Sequence, residues 1–313
     1  MRRVYVRRLC RAVAVLLVAA AALPLAGCVE KEKEYVDSLP VMTGGRTYLI
    51  AGADKATPRL ISMGPDGEVR QEAFALPGCV QSHLGGLQPL NATTFGLWTT
   101  CRGGDGEPAL YRFDVTPGSG AVRRDLGAGA SKAAWSADNG LLVEAVGEVC
   151  FGIRVTSGAG PSRFMLWEGD LPAWVEEPPL EELTAGYPCG SRRIDLRHLV
   201  VSADGALFAF GGDALISGGH SGDLVVLHAA TGEVAYRARS LDRTVYLALS
   251  PDGRRLVQSG TRGKESGVWV IDITSGAETR ISDDIDQPAF TPDGRSVSLT
   301  CYPCDDPPRV VTF

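Results

Sequence analysis

The side chains that could do chemistry are few and spread along the chain. Cys301-Tyr302-Pro303-Cys304 has the spacing of a thiol–disulfide redox pair. That chemistry needs the first cysteine at a helix N-terminus, where its pKa falls. Here the pair follows a strand-like run and precedes Asp305-Asp306-Pro307-Pro308, so a structural loop disulfide is the favoured reading. The next residue is Asp305, not the histidine of a haem-attachment motif, and two thiols with no nearby histidine do not make a zinc site. Gly219-His220-Ser221-Gly222-Asp223 shares part of Gly-x-Ser-x-Gly, a strand-to-helix turn that exposes a nucleophilic serine. Asp223 replaces its last glycine and strands are expected on both sides, so a hairpin tip accounts for Gly218, Gly219 and Gly222. His83, His198, His220 and His228 show no metal-ligand spacing, and His228 lies in an apolar strand. Asp283, Asp284 and Asp286 form an acidic loop; calcium takes about six to eight converging oxygens, and a solvated turn fits them better. Gly127-Ala128-Gly129 lacks the last glycine of a nucleotide fingerprint. Residue types alone therefore assign no catalytic residue, metal or cofactor.

Charge narrows the classes further. The formal net charge is -6, but residues 1–27 hold Arg2, Arg3, Arg7, Arg8 and Arg11 and no acid. The remainder keeps 26 basic against 37 acidic side chains, about -11, which speaks against nucleic acid, whose phosphates need Lys and Arg. The basic start is followed by Ala12–Leu25, an uncharged aliphatic run too short for a bilayer core of about 30 Å. This reads as an export signal. Its exit, Leu25-Ala26-Gly27-Cys28, resembles the lipobox of bacterial lipoproteins, which implies cleavage before Cys28 and acylation of its thiol. More than one acyl chain gives stable anchoring, so the expected location is the extracytoplasmic face of the cell membrane. Residues 28–40 then form a charged tether, with Glu30-Lys31-Glu32-Lys33-Glu34 as a solvated spacer.

Export also changes the meaning of the cysteines. Cys10 leaves with the signal, and Cys79, Cys101, Cys150, Cys189, Cys301 and Cys304 remain. An even set outside the cytoplasm reads as disulfides, with 15 possible connectivities. Proximity favours Cys79–Cys101, Cys150–Cys189 and Cys301–Cys304.

The elements that must position any site come from a repeat. Leu249-Ser-Pro-Asp-Gly-Arg-Arg-Leu-Val and Phe290-Thr-Pro-Asp-Gly-Arg-Ser-Val-Ser are its clearest copies, and Val201-Ser-Ala-Asp-Gly and Trp135-Ser-Ala-Asp-Asn-Gly match them. Each predicts a strand, a tight turn that Asp and Gly favour, and a second strand. A further hairpin follows each copy, as in Val268-Trp-Val-Ile-Asp-Ile-Thr-Ser-Gly-Ala-Glu-Thr-Arg-Ile. Third strands are expected to start near 60, 110, 164, 224, 268 and 309. Two hairpins per repeat make a four-stranded blade, and six starts predict an all-β, six-bladed β-propeller over residues 41–313. A seventh blade is possible if Leu171–Tyr187 is a degraded blade and not a long loop. The last blade lacks an obvious outer strand, and ring closure can recruit Tyr35–Val41.

The copies at Ser250–Arg254 and Thr291–Arg295 resemble the WD40-like beta-propeller repeat of the TolB family. No hydrolase domain follows, unlike the prolyl-oligopeptidase relatives with similar blades. The resemblance implies a protein-binding or scaffold module with a partner in the cell envelope. Two other readings stay open. One is a propeller enzyme, a metal-dependent hydrolase or lyase with ligands from several inner strands. The other is a glycan binder in which Trp98, Trp167 or Trp174 stacks on sugar rings; the alternative is that these tryptophans fill gaps between blades.

Overall fold

The computed structural model describes residues 35–313 except 37–39, 53–58, 73–75, 91–92, 103–108, 127–128, 139, 147–151, 169–170, 186–192, 217–218, 242 and 301–307. Cys28, Cys150, Cys189, Cys301 and Cys304 lie outside the described residues. Of His83, Trp167, His220 and Ser221 the backbone alone is described. No helix among the described residues is long and apolar enough to cross a membrane.

Six antiparallel sheets follow one another along the chain as the blades of a β-propeller. Blade 2 runs Val80–Pro89, Phe95–Arg102, Ala109–Thr116, Gly120–Asp125 from the centre outwards. Blade 4 runs Arg193–Val201, Leu207–Ile216, Gly219–His228, Val234–Leu241, and blade 5 runs Arg243–Leu249, Arg255–Arg262, Glu265–Asp272, Glu278–Ser282. Blade 6 has Gln287–Phe290, Ser296–Thr300 and Arg309–Thr312 among the described residues. The innermost strands lie beside one another in blade order, and Val41–Thr43 of blade 1 meets Gln287–Phe290 of blade 6, which closes the ring at six.

Packing explains why these strands are apolar on both sides. Leu256 and Val257 are adjacent and both fully buried. Leu256 packs with Leu207 and Ala209 of blade 4, and Val257 packs with Phe290 and Val297 of blade 6. The larger apolar clusters are likewise shared by two neighbouring blades. Burial of about 25 cal/mol per Å² of apolar surface thus acts between blades, and no blade can be stable alone.

The repeated turn is a hydrogen-bonded unit with a second role. In blades 3 to 6 the hydroxyls of Ser136, Ser202, Ser250 and Thr291 pair with the carboxylates of Asp138, Asp204, Asp252 and Asp293. Each hydroxyl accepts the N–H of the first second-strand residue or its neighbour, from Leu141, Leu207, Arg255 and Ser296. Each carboxylate also accepts a backbone N–H, from Gly140, Ala206, Arg254 and Arg295. The turn glycines Gly205, Gly253 and Gly294 sit at φ near +68°, which disfavours side chains. Space is also tight at Gly205, since a Cβ there would lie 3.2 Å from the Ser136 and Leu141 Cβ atoms of the preceding blade. Gly253 stands in the same way over Ser202 and Leu207. The turns therefore stack as a ladder, glycine on serine, from blade to blade.

Three expectations are corrected. Blade 3 runs Ala130–Trp135, Leu141–Val146, Gly152–Ser157, Arg163–Glu168, with a fifth strand, Leu171–Val175. The strand near 164 is thus its fourth, because Gly152-Ile-Arg-Val-Thr-Ser already forms the third. The segment after Leu171 is no seventh blade: it supplies that fifth strand and a short helix, Leu180–Ala185. The N-terminal residues do not complete blade 6. Tyr35–Val36 and Val41–Thr43 both pair with Arg46–Gly52 and form the divided innermost strand of blade 1, which continues through Arg59–Met63 to Val69–Gln71.

Candidate functional site

The turn hydroxyls give every blade a common origin for counting. Four residues before Ser136, Ser202, Ser250 and Thr291 stand Lys132, His198, Tyr246 and Gln287, each on the innermost strand of its blade. In blade 2 the same count from Leu90, whose N–H bonds Thr94 O as that of Ser136 bonds Leu141 O, falls on Gly86. The Trp98 indole occupies that place, since a Cβ on Gly86 would sit 2.9 Å from Trp98 Nε1. Lys132 Nζ lies 6.0 Å from the Trp98 ring, and Gln287 Nε2 donates to the Tyr246 hydroxyl at 3.2 Å. Five blades thus contribute hydrogen-bonding groups at one level, about 13 Å along the strand from the turn hydroxyls at roughly 3.3 Å per residue.

A local irregularity aims these side chains. The innermost strands skip one residue of register just before Lys132, His198 and Tyr246, and blade 2 shifts between Leu84 and Leu87. Bulges of this kind bend a strand and redirect a side chain. Lys132, His198 and Tyr246 are partly exposed although they stand on innermost strands. Two residues further on, at Ala134, Val200, Ala248 and Ala289, the strands are apolar. Ala134, Val200 and Ala248 pack there into the apolar clusters between blades.

Unmet hydrogen-bonding capacity gathers behind the ring in blades 5 and 6. Gln287 is 5 % exposed and its Oε1 has no hydrogen-bond partner. Thr300 stands directly across from Gln287 and Ser259 across from Tyr246, and both hydroxyls are buried and unpartnered. Such a group costs about 1–3 kcal/mol when nothing answers it.

Charged groups elsewhere serve the scaffold. Asp138 and Asp293 are held below the ordinary carboxylate value, first by the Ser136 and Thr291 hydroxyls and then by backbone N–H groups. Burial pushes the Arg112 guanidinium down against the opposing pull of Asp114; it bonds Asp114 at 2.7 Å and stacks 4.3 Å from the Trp135 ring. Arg154 is raised, chiefly by its hydrogen bond to Glu177, and it also pairs with buried Glu144. Tyr236 is raised by burial and by Glu278.

The residues singled out from sequence fare differently. Cys79 and Cys101 are joined by a disulfide. Gly219–Gly222 are paired with Ile216–Asp213, so Gly222 and the Ser221 segment stand in a strand, while Gly219 adjoins the hairpin connection at 217–218, where Gly218 lies outside the described residues. Asp283, Asp284 and Asp286 do not converge: Asp283 pairs with Arg280, the Asp284 N–H and the Asp286 carboxylate meet Ser282, and Arg309 approaches Asp286. Among the described residues, no group of three His, Cys, Asp or Glu is placed to hold a metal. Trp98 packs against the cluster between blades 2 and 3. Trp174 reaches from blade 3 to blade 4, donates to Thr231 O at 2.7 Å, and is capped by Arg163. The polar ring was missed because its members share no residue type. Counting back four positions from each Ser/Thr-x-Asp turn was the signal that could have found it.

The fold defines a six-bladed β-propeller with a polar level along its innermost strands. No protein-family model and no curated protein sequence matches the chain. Among solved structures it is similar to a TolB candidate from Agrobacterium tumefaciens, at 15% identity and TM-score 0.49, covering 90% of this chain and 91% of that one. TolB from Acinetobacter baumannii is similar at 15% identity and TM-score 0.42, covering 77% of this chain and 53% of that one. An oligogalacturonate lyase from Vibrio parahaemolyticus is similar at 11% identity and TM-score 0.43, with 89% of each chain covered. Likeness at this level concerns the course of the strands alone.

Proposed function

We propose that this chain is a lipid-tethered, extracytoplasmic β-propeller that binds a protein partner of the cell envelope at the mouth of its channel. One observation carries the reading. Polar groups from five blades stand at one level along the innermost strands, whereas Asp252, Asp293, Asp114 and Glu144 are spent in turns and in ion pairs within blades 2 and 3. A site of that composition can orient a partner by hydrogen bonds without committing a carboxylate to proton transfer.

The test is photocrosslinking in cells with a benzophenone amino acid at Tyr246. A discrete envelope-protein adduct is expected, absent when the same group replaces Val122, an exposed residue on the outermost strand of blade 2. Equal labelling from both positions would overturn the partner site. Cys28→Ala should move the protein out of the membrane fraction, and retention there would overturn the tether. A stoichiometric metal in the purified protein would favour the hydrolase or lyase alternative.

A further inference from the structure

We propose that the outer edge of blade 6 is a docking site for an extended strand of a partner polypeptide, which joins the blade as its fourth strand. This site is separate from the channel mouth, and neither reading depends on the other. Arg309–Thr312 stands third in its blade, paired with Ser296–Thr300 on one side and, among the described residues, with no strand on the other. Third strands are interior elements elsewhere. Arg59–Met63, Ala109–Thr116, Gly152–Ser157 and Glu265–Asp272 each have a strand on both sides and several buried apolar residues. Arg309–Thr312 has the residues of such a strand and the exposure of an edge, with Val310 54 % exposed.

Residue type shows that this edge is suited to being covered. The rim strands of blades 1, 2 and 5 carry charge, with Arg70 in the first, Arg123, Arg124 and Asp125 in the second, and Glu278 and Arg280 in the last. Charge on an edge deters further pairing. Arg309–Thr312 carries a single charge, at its first position. An apolar edge strand with open ladder groups is the template that β-strand addition uses.

The blades also specify the chemistry of the added strand. Val311 packs with Phe290, Val297 and Leu299 in the cluster shared with blade 5, so Val310 takes the other face, across from Ser298 and towards blade 1. In blades 4 and 5 the fourth strand sets Tyr236, Ala238 and Ile281 on the face turned to the following blade. The residue across from Val310 is accordingly apolar. Blades 2 and 5 draw an ion pair between the fourth strand and an inner one, Arg124 with Asp114 and Glu278 with Arg262. In blade 6 the third-strand charge is Arg309, whose side chain is 60 % exposed and meets Asp286 at 3.8 Å. The residue across from it is accordingly acidic. Pairing of two copies edge to edge fits less well. It would engage four residues a side where a stable interface takes about 20–30, and it would set two arginines into one short ladder.

The experiment uses the full chain in detergent and the peptide Thr-Thr-Val-Val-Glu-Thr, labelled with fluorescein at its N-terminus and amidated at its C-terminus. Aligned antiparallel, it sets valine across from Val310 and glutamate across from Arg309. Fluorescence anisotropy should show saturable binding. Two further peptides carry N-methyl groups at alternate residues, one set in each. Successive N–H groups of a strand point to opposite sides, so one set should weaken binding by about tenfold or more and the other should be tolerated. Val310→Lys should weaken the parent peptide by about tenfold or more at an unchanged urea midpoint. Arg309→Glu should weaken it by about fivefold, and a peptide with lysine in place of its glutamate should regain binding to that variant. Equal loss from both methylated peptides, binding indifferent to Val310→Lys, or no saturable binding by the folded protein would overturn the proposal. A protein that sediments as a dimer until Val310→Lys dissociates it would give the edge to a second copy. Binding that appears only once residues 29–34 are deleted would give it to the chain's own tether. Either result would equally overturn the assignment to a partner strand.

Discussion

Gly96→Ala is the sharpest probe of how blades 2 and 3 are fitted together. Gly96 lies within the second strand of blade 2, Phe95–Arg102, and is not among the glycines with positive φ, so alanine suits the backbone there. Space does not suit it. A Cβ would lie 2.0 Å from Trp135 Cζ2, 2.5 Å from Cε2 and 2.7 Å from Nε1, all in a ring that is fully buried. Trp135 is held from other sides by Gln88, whose amide bonds both its N–H and its carbonyl, and by the stacked Arg112. Overpacking of this kind costs about 1–3 kcal/mol, and loss of the cation–π stack about 1 more. The reduced entropy of the unfolded chain returns under about 1 kcal/mol. A net loss of about 3 kcal/mol follows, equivalent to a fall in Tm of about 6–12 °C for a domain approaching this size. Urea unfolding followed by tryptophan fluorescence and near-UV dichroism is the assay. Trp135→Ala alone should cost about 3–5 kcal/mol, and the double variant should be more stable than the sum by over about 1 kcal/mol, because the new methyl enters the space vacated. A Gly96→Ala protein within about 0.5 kcal/mol of the parent, or strict additivity, would refute the packing described here.

Gly205→Ala should lose about 1–3 kcal/mol in the same assay, from left-handed backbone strain and from contact with Ser136, whereas Gly118→Ala, also at positive φ but open around its Cβ, should lose only the backbone part. Asp138 and Asp293 have folded values below their ordinary 3.8, so their contribution is present above that pH and lost as pH falls through the lower folded values. The urea midpoint should therefore drop as the pH falls below about 4, and Asp293→Asn should flatten part of that drop. Replacing Cys79 and Cys101 together by alanine should cost about 3 kcal/mol, from the closure entropy of a loop of 22 residues. A non-reducing unfolding curve unchanged by the replacement would count against that bond.

The blades were legible where local chemistry repeats. Ser-Pro-Asp-Gly at 250–253 and Thr-Pro-Asp-Gly at 291–294 write their turn into residue type, because hydroxyl, carboxylate and positive φ each demand one residue class. Blade 3 was misread where that local writing stops. Gly152–Ser157 follows no diagnostic turn, and whether Leu171–Val175 joins a sheet depends on Phe164 and Met165 offering it an edge. The destination of Tyr35–Val36 was equally hidden, since the last blade lacked an obvious outer strand and nothing local in these residues announces their pairing with Gly52 and Ala51. The ring of Lys132, His198, Tyr246 and Gln287 is hidden by residue type and visible only by position: a fixed count back from each Ser/Thr-x-Asp turn unites these residues.

Blade 1 takes its innermost strand from the N-terminal side and blade 6 is built wholly from later residues, so among the described residues no strand is shared across the closing joint. The circle is held like staves without a hoop, by the fit of Val41–Thr43 against Gln287–Phe290 and of the blade faces behind them. In such a ring the number of blades is set by the angle between neighbours and not by an exchange of strands. A duplicated or deleted blade would leave every remaining hairpin with its own partners and would need only the wedges to be recut. The stacked turn glycines, one per joint in blades 4 to 6, are where that angle is written.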